Sequence, residues 1–145
     1  MEGGTPVSEF RYRRRVQFAE TDLVGVVHFS WIARYMEEAE HALWREAGLS
    51  VHEPGSDIGW PRVAASFEYQ SALTFEQEFE VWLRIAEIKR KTIRYACEVT
   101  HGDRKVGTGA MTIACVQRTP NQPMRAIEIP ADIAARFQVS PDAER

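Results

Sequence analysis

The chain has 145 residues, of which 44% are hydrophobic and 27% charged, and its formal net charge is −3. That length suits one domain with a real core, and the composition is that of an ordinary globular protein rather than a disordered or fibrous one. The charge balance excludes the global basic field of a nucleic-acid binder, no run approaches the ~18 apolar residues of a membrane span, and two cysteines without CxxC spacing exclude a disulfide scaffold or zinc ribbon.

From the N-terminus, "MEGGTPVSEF" has no basic segment followed by an apolar run. Residues 1–9 therefore read as an extension rather than a secretory leader, and the expected compartment is the cytoplasm, with Cys97 and Cys115 as reduced, packed thiols. A strand is expected over 10–18, and the short "RYRRR" at 11–15 reads as its solvated face rather than a nucleic-acid patch. The stretch "ETDLVGVVHFS" (20–30) places Asp22 three residues ahead of Gly25, where the chain turns into its strongest periodic segment. At 100° per residue Trp31, Ile32, Tyr35, Met36, Ala39, Ala42 and Leu43 share one arc. Ser30 stands where a helix N-cap belongs and Gly48 where a left-handed C-terminal residue does. The result is a half-buried helix ~27 Å long, at 1.5 Å per residue.

After the turn-rich "HEPGSDIGWP" (52–61) a period of two takes over. Val63, Ala65, Phe67 and Tyr69 alternate, then Phe79, Val81, Leu83 and Ile85, then Ile93, Tyr95, Cys97 and Val99. The run "VGTGAMTIACV" (106–116) is small and apolar, as in a strand covered on both sides. If 79–85 and 93–99 share one apolar face, paired positions are odd with odd, and the hairpin centres near Lys89 or Arg90. The next turn, "HGDRK", pairs Cys97 with a residue near 108, far from Cys115. A short helix is expected at 131–137, with fraying beyond it in a C-terminal tail, residues 139–145. One helix cannot cover both faces of such a sheet, so the small-residue strand asks for a second molecule or tight wrapping, and a homo-oligomer is expected.

No GxSxG, HExxH, P-loop or GxGxxG motif occurs, which sets aside serine hydrolase, zincin, nucleotide and dinucleotide chemistry, and no metal site is expected. His41 lies one turn from Glu37 as an i,i+4 surface pair; His52 and His101 sit in loop or turn contexts. Asp22 is different. A helix start exposes unpaired amide donors with partial positive charge, Gly25 lets a carbonyl group approach them, and a carboxylate in the same turn can activate water or attack directly. Those are the parts of an acyl-transfer site; the alternative is that Asp22 merely caps its own turn, as Asp often does.

The stretch "FAETDLVGVVHFSWIARYMEEAE" resembles the signature of the 4-hydroxybenzoyl-CoA thioesterase-like branch of the hotdog-fold thioesterases: acid-Thr-Asp, two residues, Gly-Val-Val, then Tyr-aromatic-Glu-x-Ala. Asp22, Gly25, Val26, Val27, Tyr35, Glu37 and Ala39 match in spacing, and weaker similarity runs from about residue 10 to 118. The resemblance implies an α+β fold over 10–138, with a long central helix wrapped by a five-stranded antiparallel sheet and pairing through its edge into a homodimer or homotetramer. It implies hydrolysis of an acyl-CoA, or of an acyl carrier protein thioester, without a cofactor, coenzyme A being part of the substrate. The catalytic carboxylate maps to Asp22 and the main-chain oxyanion donor to Phe29. Many relatives carry histidine at that position, whereas here the imidazole is one place earlier, at His28. Gly25, Val26, Val27, Trp31 and Tyr35 are the residues expected at the acyl end, and Lys89, Arg90 and Lys91 those expected to meet the phosphates of coenzyme A. A non-catalytic acyl-CoA or acyl-carrier binding module of the same fold is the alternative. A hotdog dehydratase ranks behind both, since "HFSW" stands where "HFPG" would be expected.

Overall fold

The computed structural model describes residues 4–144. In chain order they form β1 (Glu9–Arg15), a 3-10 turn at Phe18–Glu20, α1 (Phe29–Glu46), β2 (Ile58–Gly59), β3 (Arg62–Tyr69) and β4 (Glu78–Ile88). Then follow β5 (Thr92–His101), β6 (Arg104–Ala114), β7 (Val116–Gln117), β8 (Arg125–Ala126) and α2 (Ala131–Ala134). The main sheet is antiparallel in the order β1-β4-β5-β6-β3 and curls around α1, the expected hotdog arrangement.

The helix buries the arc that the periodicity picks out: Ile32, Tyr35, Met36, Ala39, Ala42 and Leu43 are all buried, with Trp44 and Glu40 beside them. Its C-terminus closes as expected, Gly48 taking φ +77° while the Leu49 amide returns to the Trp44 carbonyl at 2.9 Å. The N-cap is His28, not Ser30: its imidazole Nδ1 accepts the Ser30 amide at 3.3 Å, doing with a ring nitrogen what a serine hydroxyl would have done two residues later.

Register follows the odd-with-odd rule through the body of the hairpin, where Val81, Leu83 and Ile85 face Val99, Cys97 and Tyr95. A bulge after Ile85 then shifts the pairing, so Ile88 meets Ile93 at the tip. Cys97 lies opposite Gly109, and both cysteines are buried and free. The strand expected over 106–116 breaks at Cys115, and Val116–Gln117 leaves to pair with β2 and β8 in a small second sheet.

Of the second molecule or tight wrapping expected over the small-residue strand, tight wrapping within the chain is found, and the expected fraying of the tail is corrected. The glycines of β6 need no second molecule, because Phe67 of the neighbouring strand lies on them: a Cβ at Gly107 would come within 2.6 Å of that ring and 2.3 Å of the Glu68 carbonyl oxygen. β3 pairs with β6 on one side only and is one of the two edge strands of the sheet, β1 being the other, with Val63, Ala64, Ala65, Ser66, Glu68 and Tyr69 all exposed. Nor does the tail fray through its described part. The Ser140 amide donates to the Ile85 carbonyl at 2.8 Å, Arg84 reaches the Asp142 carbonyl at 3.1 Å, and Ser140 is buried.

Candidate active site

The segment between β1 and α1 is built as a stack of hydrogen bonds around a buried acid. Glu20, only 3% exposed, accepts the Gln17 amide (2.9 Å) and the Tyr35 hydroxyl (2.7 Å) on one carboxylate oxygen, and Arg14 on the other. Desolvation alone would push its pKa up. The Gln17 amide, the Tyr35 hydroxyl and Arg14 together outweigh it and hold the carboxyl below its ordinary value. Burial and the same carboxylate push the Tyr35 hydroxyl well up, so this pair stays carboxylate and phenol. Arg14 also holds Glu38 at 2.9 Å. The basic run is thus split by strand parity: Arg11, Arg13 and Arg15 face solvent, where they pair with Glu80 and Glu78, and Arg14 turns inward.

On that base the main chain doubles back. Thr21 bridges Val27, the Asp22 amide donates to the Val26 carbonyl at 2.8 Å, and the His28 amide donates to the Glu20 carbonyl at 2.9 Å. Gly25 makes the reversal with φ +81°, a conformation open to it because it lacks a Cβ. Asp22 Oδ1 accepts the Val24 and Val26 amides at 2.9 and 3.1 Å, so half of this carboxylate ties down its own loop. Oδ2 has no hydrogen-bond partner among the described residues, and Asp22 is exposed. At the helix start the Phe29 N–H meets no acceptor among the described residues, whereas the Ser30 and Trp31 amides are both taken by His28. A free carboxylate oxygen and a free amide therefore sit on the two arms of one tight loop.

Around them lies apolar surface. Phe18, Leu23, Val24, Phe29 and Phe75 are exposed, Leu23 fully, and the rings of Phe18 and Phe75 meet edge to face at 5.7 Å. Beneath the helix start is a cavity of about 290 Å³ that Val26, Val27, Ile32, Tyr69, Leu73 and Val106 help to line; Asp22 is outside that lining. The Tyr69 hydroxyl donates to the Phe29 carbonyl at 3.4 Å, joining the end of β3 to the helix start.

The chain matches the model of the thioesterase-like superfamily over residues 16–137. It belongs to that family. A 1,4-dihydroxy-2-naphthoyl-CoA hydrolase of Synechococcus elongatus is 24% identical over 119 residues, 80% of this chain and 88% of its own. The crystal structure of an Aquifex aeolicus protein superposes with TM-score 0.81 at 31% identity, covering 89% of this chain and 99% of that one. The 4-hydroxybenzoyl-CoA thioesterase of Pseudomonas sp. strain CBS-3 superposes with TM-score 0.76 at 22% identity, over 88% of this chain and 97% of that one, a likeness of fold. As a thioesterase-superfamily member the chain is a thioester hydrolase with the hotdog architecture.

Within this thioesterase the expected site residues separate into four places. Asp22, Gly25, Val26, Val27, His28 and Phe29 do come together at the loop and helix start. Tyr35 does not face a ligand: it is fully buried, its ring packs 4.6 Å from that of Phe79, and its hydroxyl is committed to Glu20. Trp31 lies in a separate cavity with Arg14, Arg34 and Glu38, away from the one bounded by Val26 and Val27. Lys89, Arg90 and Lys91 are exposed at the β4–β5 tip, beside Ile93 and Ile113. The helix start adjoins the row of Val99 and Gly107, six residues and so about 20 Å further along the strands. In one chain these cations and Asp22 are at opposite ends. His28 acts as the helix cap. The residue that sequence reasoning passed over is Glu20. Its signal was present twice, as the acid of the acid-Thr-Asp signature and as the acid three places after Gln17 in a capping box. No helix among the described residues is long and apolar enough to cross a membrane.

Proposed function

We propose that this thioesterase hydrolyses an acyl-CoA to the free acid and coenzyme A. Asp22 Oδ2 acts as general base toward water, or as nucleophile, and the Phe29 N–H receives the negative charge that develops on the carbonyl oxygen. The observation that carries this reading is the pairing of an uncommitted carboxylate oxygen with an uncommitted helix-start amide across one Gly-hinged loop. Water adds to the thioester carbon as its proton passes to the carboxylate. The tetrahedral oxyanion rests on the amide, and collapse breaks the C–S bond, the leaving sulfur taking the proton back from the Asp22 carboxyl to depart as coenzyme A. Water and these groups suffice, so the reaction calls for no cofactor.

The unit that works is a homodimer, or a tetramer of such dimers, joined through β3. An exposed edge strand and five exposed apolar side chains around Asp22 are surfaces that a second copy covers, and covering them strips water from the carboxylate. Antiparallel pairing of β3 with its copy reverses the partner. Its Lys89–Lys91 tip then lies at the same end as this chain's Asp22, where three cations can meet the phosphates of coenzyme A.

Asp22→Asn tests the reading. We expect thiol release from acyl-CoA to fall on the order of a hundredfold or more, with little change in substrate binding; undiminished turnover would remove the role. The commitment of Oδ1 to the Val24 and Val26 amides favours a second reading, in which Asp22 is only a loop tie and the protein binds acyl-CoA or acyl carrier protein without turnover. Saturable binding with no thiol released would establish that one.

A further inference from the structure

The geometry points to an aliphatic acyl chain of medium length, rather than a hydroxylated aromatic acid, as the occupant of the cavity beneath the helix start; this rests on the thioester reading above. Phe29 follows Val27 by two residues and opens the helix that carries Ile32, so the proposed carbonyl position is a chain neighbour of two side chains that border that cavity. Much of its wall is branched aliphatic and comes from separate parts of the fold: Val26 and Val27 from the loop, Ile32 from α1, Leu73 from the β3–β4 connection, and Val106 from β6, with the Tyr69–Ala72 segment completing it.

The polar atoms nearby are already engaged. The Ser71 hydroxyl donates to the Lys105 carbonyl at 2.8 Å and accepts from Arg104 at 2.6 Å, and the Tyr69 hydroxyl donates to the Phe29 carbonyl. What remains is the acceptor side of Tyr69 and the exposed Gln70 amide at the rim. A ring hydroxyl pushed deeper finds no partner, at a loss of roughly tenfold or more in affinity. A methylene placed there gains about three- to fourfold. The volume, about 290 Å³ in a pocket open on one side, matches roughly eight to ten groups at ~30 Å³ each, so an octanoyl to decanoyl chain fills it and further carbons extend into solvent.

The test uses the full chain, a series of saturated acyl-CoAs from two to sixteen carbons, benzoyl-CoA and 4-hydroxybenzoyl-CoA. Hydrolysis is followed by thiol release, and binding of the non-hydrolysable S-alkyl-CoA thioethers by calorimetry. We expect kcat/KM to climb about threefold per methylene from four carbons to a maximum at about eight to ten, with octanoyl-CoA at least tenfold above 4-hydroxybenzoyl-CoA. Ala72→Phe, at an exposed lining position that leaves the core untouched, and Val26→Phe should both move the maximum toward four to six carbons. A maximum at two carbons, a continued rise to sixteen, a preference for 4-hydroxybenzoyl-CoA, or an unmoved maximum in both variants overturns the assignment. Graded thioether binding without hydrolysis of any ester upholds the cavity assignment while sinking the catalytic reading; ungraded binding without hydrolysis sinks both.

Discussion

Replacing Glu20 by alanine removes the support under the catalytic loop, and its cost follows from the contacts. The Tyr35 hydroxyl, fully buried, loses its acceptor, a penalty of about 1–3 kcal/mol. Arg14, with a side chain 13% exposed, loses one charge-assisted partner and keeps Glu38, at about 1.5–3 kcal/mol. Together these give roughly 3–6 kcal/mol, or a fall of about 10–20 °C in Tm for a domain of this size. Glu20→Gln keeps an acceptor for Gln17 and Tyr35 and sacrifices only the ionic half, so its loss should be about 1.5–3 kcal/mol. Because the folded carboxyl lies below its unfolded value, its stabilisation is present at neutral pH. It is lost as pH falls below the unfolded carboxylate pKa of about 4.3 toward the folded value. Urea denaturation of the wild type and both variants between pH 3 and 7 should therefore show the gaps closing in acid. A Glu20→Ala protein within ~1 kcal/mol of wild type at pH 7 would refute the reasoning, as would a gap that widens in acid.

Gly107→Ala and Gly109→Ala should each cost about 1–3 kcal/mol or more in thermal denaturation, because the new Cβ meets a carbonyl oxygen of β3 at 2.3 or 2.6 Å and the Phe67 ring cannot stay on the strand. Glu40, buried on α1, is pushed up by desolvation despite its Arg62 partner at 2.7 Å, with Tyr95, Glu37 and His41 beside it. Arg62→Met strands that charge, so the loss should be about 3–5 kcal/mol at pH 8 and shrink as pH falls through the raised folded pKa and Glu40 takes a proton. Neither thiol should react with a disulfide reagent in the native protein at pH 8, since burial pushes Cys97 up to about 12 and raises Cys115; both should react in denaturant. Ala64→Lys with Ser66→Lys, on the exposed edge strand, should give monomers in analytical ultracentrifugation and abolish turnover with the circular dichroism unchanged. Dimers of normal activity would contradict the β3 interface.

Periodicity identified α1, β4 and β5 because each has one buried face, so 3.6- and 2-residue spacing is written directly into which side chains are apolar, whereas β6 was legible as a small apolar run and β3 as an alternation whose side chains stay largely exposed. The bulges after Ile85 and Val99 were not legible, since they depend on how twisted strands meet at their tips. Nor was the fate of the β6 glycines, because the ring that fills the space comes from Phe67, forty residues earlier in the chain. Trp31, Tyr35 and Met36 look alike as aromatic or flexible apolar residues on one arc. Trp31 and Tyr35 are four residues and only about 40° apart on the helix, yet one turn of axial rise and the neighbouring strand send Tyr35 to Glu20 and leave Trp31 in a different cavity.

The Asp22-x-x-Gly25 spacing and the helix that follows it led, from sequence alone, to the expectation of a carboxylate near helix-start amides, since both depend on contacts within ten residues. Of the first three helix amides the Phe29 N–H is the one without an acceptor among the described residues. Only the tertiary structure decided which half of that carboxylate remains uncommitted, that a buried Glu20–Arg14–Tyr35 cluster supports the loop, and that Lys89–Lys91 lie at the far end of the sheet. Those are contacts between residues distant in the chain, and the path of the sheet, rather than any local preference, brings them together or keeps them apart.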